Sequence, residues 1–183
     1  MSNRIHVCSV KMAGGLDNKL RKWIQNPVKI LKPYIREGMI VMDLGCGPGF
    51  FTLEIAKLVG ESGRVIAADL QQGMLEKVRN KAHGTMLEKR IVLHQCGSDK
   101  IGLTEQVDFV LAFYVVHEFP DQGAMFAEQA SLLKPNGRVL VVEPPFHVSR
   151  KGFEREIEIA RDAGFKVVER PKFCLSSAVL LEK

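Results

Sequence analysis

Short hydrophobic runs alternate with segments of helical periodicity along most of the chain. Between the runs, apolar residues recur at spacings of three and four, which predicts helices at 51–60, about 73–82 and 122–133. This alternation is typical of a βαβ protein with a parallel sheet. The hydrophobic runs themselves predict five strands, at 39–44, 64–70, 91–95, 107–115 and 137–143.

The C-terminal part of the chain carries a helix pattern and then two further strand patterns. Ser149 is a candidate N-cap of a helix whose apolar stripe includes Phe153 and Ile157, and Gly164 ends it. The segments 164–171 and 174–183 predict two closing strands that form a hairpin.

The N-terminal segment has a helical pattern and most of the charge. Two short helices are predicted, at 16–24 and 27–35. Residues 1–37 contain eight Lys or Arg residues and two acidic residues, in a chain of net charge +5. Such a segment suits a solvated helix face, and also an anionic substrate or RNA. The chain is predicted to be one domain, 1–183, with a helical cover at 1–36 and a core at 37–183.

Composition narrows the class of protein. Of the 183 residues, 46% are hydrophobic and 26% are charged, as in a soluble globular protein. No apolar run approaches the roughly 20 residues of a membrane helix, and no signal-peptide pattern is present, so a cytoplasmic protein is expected. The four cysteines form no CxxC pair, which favours free thiols over a disulfide framework or a zinc site; they are Cys8, Cys46, Cys96 and Cys174.

The segment VMDLGCGPGFFT, residues 41–52, contains the main candidate ligand site. Three glycines in five positions follow the first predicted strand, and a backbone without Cβ atoms lets a ligand approach closely. In open α/β sheets, ligands bind at the carboxyl ends of the strands. Asp69 ends the second predicted strand, 20 residues after Gly49, where a carboxylate suits the hydroxyls of a ribose.

Three ligand classes compete for this loop. A P-loop is excluded, because no Lys-Ser/Thr pair follows the glycines. A dinucleotide-binding loop has glycine where Phe50 stands, and Phe50 would crowd a pyrophosphate. Asp43, at the end of the first strand, repels phosphate and suits a ligand with an ammonium group. A nicotinamide-dependent oxidoreductase is therefore the disfavoured rival.

DLGCGPGF resembles the nucleotide-binding motif E/D-x-G-x-G-x-G of the class I S-adenosylmethionine-dependent methyltransferases. Asp69 matches the ribose-binding acid of that family, GSD at 97–99 lies where the family contacts adenine, and DFVLAFYVVHEF resembles its substrate-pocket segment. The resemblance covers residues 37–183. It implies a Rossmann-like three-layer α/β sandwich with a mostly parallel seven-stranded sheet, a terminal antiparallel hairpin and an N-terminal helical cover.

The resemblance also implies S-adenosylmethionine as the cofactor and a role for individual residues. Asp43 would hold the methionine ammonium group, and Asp69 the ribose hydroxyls. The thioether of Met74 would suit the face of the adenine ring, and the carboxylate of Asp99 would suit its exocyclic amine. The implied cofactor-binding set is Asp43, Gly45, Cys46, Gly47, Gly49, Asp69, Leu70, Met74, Gly97, Ser98, Asp99 and Phe113. No resident metal ion is predicted.

Methyl transfer requires chiefly that the acceptor be positioned, and a base only where the acceptor loses a proton. The candidate catalytic residues are His117, whose imidazole takes a proton near neutral pH, and Tyr114. Glu118, Glu143 and His147 also lie at the ends of the fourth and fifth strands.

A small-molecule acceptor is expected, because Phe113 and Tyr114 indicate a partly apolar pocket. The basic N-terminal segment keeps an RNA or protein acceptor as an alternative, and a donor-binding protein without turnover is a third. The segment 3–36 is hypothesised to cover the donor and to form one wall of the acceptor pocket. The sequence does not specify the oligomeric state.

Overall fold

The structure is a computed structural model that describes residues 25–183, and its central feature is one seven-stranded sheet. The strand order is β3-β2-β1-β4-β5-β7-β6. Strands β1 to β5 pair in parallel, while β7 is antiparallel to both of its neighbours. The strands are β1 (Ile40–Leu44), β2 (Arg64–Asp69), β3 (Ile91–Gln95), β4 (Val107–Phe113), β5 (Leu133–Glu143), β6 (Lys166–Glu169) and β7 (Ser177–Glu182). The predicted mostly parallel sheet with a terminal antiparallel hairpin is confirmed.

Helices pack on both faces of the sheet, because each strand sends alternate apolar side chains to opposite sides. Met42 of β1 faces a core that includes Phe126 and Phe153, whereas Val41 faces one that includes Ile55. The result is the predicted three-layer sandwich. The helices described are α1 (Pro27–Leu31), α2 (Thr52–Leu58), α3 (Gln72–Ala82), α4 (Gln122–Leu132) and α5 (Arg150–Asp162). None of these five, within residues 25–183, is long and apolar enough to cross a membrane.

Local sequence signals account for several helix ends. The Ser149 hydroxyl accepts a hydrogen bond from the Gly152 N–H at 3.1 Å, which confirms the predicted N-cap of α5. Helix α1 ends at Leu31 and not at the predicted residue 35, because Pro33 lacks the N–H that would continue the helix. The helix predicted at 16–24 lies outside the described residues, so the cover at 1–36 stays a prediction.

Strand β5 begins earlier than the sequence predicts. The sequence predicts a helix that ends at residue 133 and a strand that begins at 137, with KPNG (134–137) at the junction, but Leu133 already pairs with Val107 of β4. The register then shifts, so that Arg138 pairs with Phe109. Asn136 adopts a positive φ of 63°, which asparagine tolerates better than most residues, and this lets the extra residues bulge out of the ladder.

The chain just after α1 is attached to the sheet by an aromatic contact. The ring of Tyr34 stacks on Phe109 of β4, with a centroid distance of 6.0 Å and an interplanar angle of 8°. Phe109 is 2% exposed and lies in the core that contains Leu31 of α1. This central strand therefore holds the segment that precedes β1.

We expect Phe109→Ala to lower the free energy of unfolding by about 3–5 kcal/mol, because it leaves a cavity in the core and removes the Tyr34 contact. Val92→Ala is the matched control, since Val92 is 44% exposed on the edge strand β3 and should cost less than about 1 kcal/mol. Urea denaturation of both variants measures the difference. Equal losses would contradict this account of the core.

Candidate functional site

A deep cleft opens at the carboxyl ends of β1 to β4. Strand order reverses between β1 and β4, which is where ligands bind in open α/β sheets. The cleft passes from the glycine loop after β1, past the ends of β2 and β3, to the segment after β4. Its lining residues are Asp43, Leu44, Gly45, Cys46, Gly47, Pro48, Phe50, Phe51, Asp69, Leu70, Gln71, Met74, Cys96, Gly97, Ser98, Phe113, Tyr114, Val115, Glu118 and Phe119.

The glycine loop is compressed against neighbouring elements. Gly45 has a φ of +68°, and a Cβ atom built on it would lie 2.4 Å from Cγ2 of Val115. Only glycine therefore lets the loop cross this close to the segment after β4. A Cβ on Gly49 would lie 3.1 Å from Cγ2 of Val78 in α3, and Gly49 does not line the cleft. Gly49 therefore packs against α3 and does not contact the cleft, although the sequence predicts that it binds the cofactor.

Asp43 lies at the end of β1, at the bottom of the cleft, and is 2% exposed. Its Oδ2 accepts a hydrogen bond from the Thr52 hydroxyl at 2.6 Å. Thr52 is the first residue of α2, so the bond also ties the helix start to the sheet. A buried carboxylate at this point disfavours a phosphate and favours a cationic group.

Asp69 ends β2, and its carboxylate connects the glycine loop after β1 to the start of α3. Its Oδ2 accepts a hydrogen bond from the Gly47 N–H at 2.9 Å, and its Oδ1 accepts one from the Gln71 N–H at 2.8 Å. Burial raises the pKa of Asp69, and these two backbone hydrogen bonds oppose that rise. A carboxylate oxygen has more than one lone pair, so both oxygens keep capacity to accept from ligand hydroxyls.

The far wall of the cleft lies between β2 and β3. Leu70, Met74, Gly97 and Ser98 line it, as the sequence predicts, whereas Asp99 is exposed and does not. Two buried thiols lie in the cleft as well. Burial and the nearby carboxylates raise the pKa of Cys46 well above its ordinary value, and burial and Asp69 raise that of Cys96 to about 12. Both thiols therefore stay neutral.

Aromatic side chains dominate the cleft wall near the end of β4. The ring centroid of Phe113 lies 4.4 Å from those of Phe51 and Tyr114. Tyr114 has a positive φ of 63°, which is uncommon for a residue with a bulky side chain. Its hydroxyl hydrogen-bonds to Ser176 Oγ at 2.6 Å and to Gln25 Nε2 at 2.5 Å. The loop before β7 and the chain before α1 thus hold Tyr114 in the cleft wall.

The structure separates the two predicted catalytic residues. Tyr114 lines the cleft, but His117 lies beside it, in the 3-10 turn Val116–Glu118. The His117 Nδ1 is 2.5 Å from Oε2 of Glu143, a residue with no solvent exposure. His147, which the sequence also suggested, stacks on the ring of His117 with a centroid distance of 5.3 Å.

Sequence reasoning missed several lining residues. Gln71 and Cys96 directly adjoin the predicted residues Leu70 and Gly97 at strand ends, so position in the strand–loop pattern was the available signal. Phe119 follows the 3-10 turn after β4 and ends the segment DFVLAFYVVHEF, which the resemblance marks as a whole without singling out this residue. Within residues 25–183, no group of three or more His, Cys, Asp or Glu side chains is arranged to hold a metal ion.

The chain is similar to known proteins in sequence and in structure. A family model described as a methyltransferase domain matches residues 35–174. A demethylmenaquinone methyltransferase from Lactobacillus johnsonii is 35% identical over 122 residues, which are 66% of this chain and 49% of the relative. The ubiquinone/menaquinone biosynthesis C-methyltransferase UbiE from Haemophilus ducreyi is 30% identical over 110 residues, 60% of this chain and 42% of the relative. The chain spans about half the length of the curated relatives it matches.

Among solved structures, a SAM-dependent methyltransferase from Aquifex aeolicus superimposes with a TM-score of 0.86 at 26% identity. The match covers 96% of this chain and 99% of that one. The resemblance predicted from DLGCGPGF and Asp69 is thereby confirmed, and with it S-adenosylmethionine as the cofactor. The chain belongs to the class I family of S-adenosylmethionine-dependent methyltransferases.

Proposed function

We propose that the protein transfers a methyl group from S-adenosylmethionine to a small, partly apolar acceptor. The observation that carries this proposal is a single cleft with two buried carboxylates, Asp43 and Asp69, at one end and the aromatic wall of Phe51, Phe113 and Tyr114 at the other. The first end suits a ligand with an ammonium group and a ribose. The second suits a flat apolar molecule, which an aromatic wall holds by stacking.

The residues in the cleft fit the donor. Asp43 would receive the ammonium group, and Gly45 and Gly47 would let the backbone pass close to the methionine and the ribose. Both oxygens of Asp69 retain lone pairs for the ribose hydroxyls. Leu70 and Met74 would pack against the adenine. Roles for Cys46, Gly49, Gly97, Ser98, Asp99 and Phe113 in the same site remain part of the proposal.

S-adenosylmethionine supplies an activated methyl group, which the acceptor atom takes with its own electron pair while the carbon–sulfur pair stays on sulfur. The protein's residues then have two tasks: to hold the acceptor in line within about 3–3.5 Å, and to exclude water. Phe113, Tyr114 and Phe119 are placed for both tasks at the acceptor end of the cleft.

The names of the relatives guide the choice of acceptor. The Lactobacillus johnsonii and Haemophilus ducreyi proteins are named for demethylmenaquinone and for ubiquinone and menaquinone biosynthesis. We therefore propose an aromatic hydroquinone-like acceptor, in a cytoplasmic enzyme. Transfer of labelled methyl from S-adenosylmethionine to 1,4-naphthohydroquinone under anaerobic conditions tests it, with total RNA and a protein extract as rival acceptors. Methylation of RNA or protein alone would refute the small-molecule acceptor, and donor binding with no transfer to any acceptor would favour a binding protein.

We expect Asp69→Ala to weaken donor binding about tenfold or more, because it removes charge-assisted hydrogen bonds worth about 1.5–3 kcal/mol. Glu61→Ala is the control, since Glu61 is an exposed carboxylate in the loop before β2. Isothermal titration with S-adenosylmethionine measures both variants. Unchanged affinity in Asp69→Ala, with the fold intact, would remove Asp69 from the ribose site.

We expect NAD and ATP to bind far more weakly than S-adenosylmethionine or its demethylated product. Both nucleotides would bring phosphates to a loop with the buried carboxylate of Asp43 beneath it and the ring of Phe50 in the cleft. Competition titrations against bound S-adenosylmethionine measure the difference. Micromolar NAD binding that displaces the donor would contradict the proposed function.

A further inference from the structure

A cluster of polar side chains lies beside the cleft, at the carboxyl ends of β4 and β5. The His117 cluster, as we name it, consists of His117, Gln122, Glu143, His147 and Glu156. None of the five lines the cleft. Glu143 is fully buried and Glu156 is 5% exposed. Burying a carboxyl group costs free energy unless the group is paired or protonated. The surroundings of Glu143 and Glu156 must therefore explain how each is stabilised.

Glu143 fixes the position and the tautomer of His117. Its Oε2 lies 2.5 Å from the ring Nδ1, and its Oε1 accepts a bond from the His117 backbone N–H at 3.3 Å. A carboxylate at Nδ1 places the ring proton there, so Nε2 carries a free lone pair. Within residues 25–183, Nε2 makes no hydrogen bond, and the His117 side chain is 20% exposed. The ring thus has an accessible basic nitrogen.

Glu156, on α5, is the second buried carboxyl group of the His117 cluster. Its Oε1 accepts a hydrogen bond from Gln122 Nε2 at 3.1 Å, while Oε2 has no partner in the described part of the chain. Burial, and next the charge of Glu143, raise the pKa of Glu156 to about 7. This environment favours the protonated form of Glu156.

The groups around His117 favour its protonated form. Burial lowers the pKa of His117, but the hydrogen bond that the ring donates to Glu143 and the charges of Glu143, Glu118 and Glu156 outweigh burial, so the pKa is raised. The ring of His147 stacks on the ring of His117. An imidazolium formed here is therefore stabilised, as a group that receives a proton during catalysis requires.

His117 lies next to residues that line the cleft. Val115, Glu118 and Phe119 line the acceptor end of the cleft, on both sides of His117 in the sequence. His117 therefore stands at the margin of the space in which the proposed function places the acceptor. The hydroxyl of Tyr114, by contrast, is engaged by Ser176 and Gln25.

We propose that His117 receives the proton that the acceptor loses, with Glu143 as the residue that positions it. This inference rests on the proposed function. An acceptor hydroxyl gives its proton to Nε2, the electron pair left behind forms the new bond to the methyl carbon, directly or through the conjugated ring, and the proton later passes to water. The acceptor is accordingly one with an ionisable hydroxyl at or conjugated to the methylated atom.

We expect Glu143→Gln to lower kcat about 10²-fold or more, with the affinity for S-adenosylmethionine unchanged. The His117 pKa should fall, because burial then acts on it without the charge of Glu143, so the rising limb of the pH–kcat profile moves to lower pH. NMR titration of the histidine ring and transfer to 1,4-naphthohydroquinone measure the two effects. Glu158→Gln is the control, since Glu158 is an exposed carboxylate on α5.

The outcomes separate the inference from the proposed function. Wild-type protein that fails to bind S-adenosylmethionine refutes the proposed function itself. If the donor binds, a His117 pKa that does not fall in Glu143→Gln overturns the positioning role. Unchanged kcat in that variant overturns the proton transfer, as does equally fast methylation of dimethyl sulfide, which has no proton to lose.

The raised pKa of Glu156 leads to a separate prediction about how the free energy of unfolding depends on pH. Because its pKa is raised from 4.5 to about 7 in the folded state, the folded protein holds a proton that the unfolded chain has released. The free energy of unfolding should therefore fall as the pH rises from about 4.5 to about 7. We expect Glu156→Gln to remove this fall, so that the variant gains on the wild type between pH 5 and pH 8 in urea denaturation. A constant difference, as expected of Glu158→Gln, would show that Glu156 is not protonated in the folded protein.

Discussion

The two hydrogen bonds that Asp69 accepts from the backbone hold the donor end of the cleft together. The Gly47 N–H belongs to the loop after β1, and the Gln71 N–H belongs to the start of α3. One carboxylate therefore fixes the distance between two adjacent strand ends. On its other side the glycine loop meets Val115, where a Cβ on Gly45 would have no room. The loop is thus held between β2 and the segment after β4 before any ligand binds, which reduces the ordering cost of binding.

The sequence predicts which strand ends and loops meet at the Asp43 and Asp69 end of the cleft, because that end is built from local patterns. Strand ends, glycine positions and the spacing to Asp69 all lie within residues 43–98, and each is readable from its neighbours. Position in a motif does not guarantee contact, however. Gly49 packs against Val78 of α3 while its neighbours Pro48 and Phe50 line the cleft, and Asp99 is exposed while Ser98 lines it.

The end of the cleft at Phe113 and Tyr114 is less predictable because it depends on contacts between distant parts of the chain. His117 and Glu143 are 26 residues apart, and Tyr114 and Ser176 are 62 apart. No periodicity connects such pairs, so the sequence suggests His117 as a base without indicating its direction. The bulge in β5 is similar: KPNG reads as a loop, and only the pairing of Leu133 with Val107 shows that it lies within a strand. Strand type and order follow from pattern, whereas side-chain direction follows from tertiary packing.

The position of β7 in the sheet has a consequence for the order of assembly. Strand β7 lies between β5 and β6, so the β6–β7 hairpin joins the sheet only when β7 pairs with β5. Ser176, which bonds to the Tyr114 hydroxyl, immediately precedes β7. Pairings of long sequence separation are slow to form, and an edge hairpin opens more readily than a central strand. The contact between Tyr114 and Ser176 is therefore expected to form late in folding and to open more readily than the end of the cleft at Asp69.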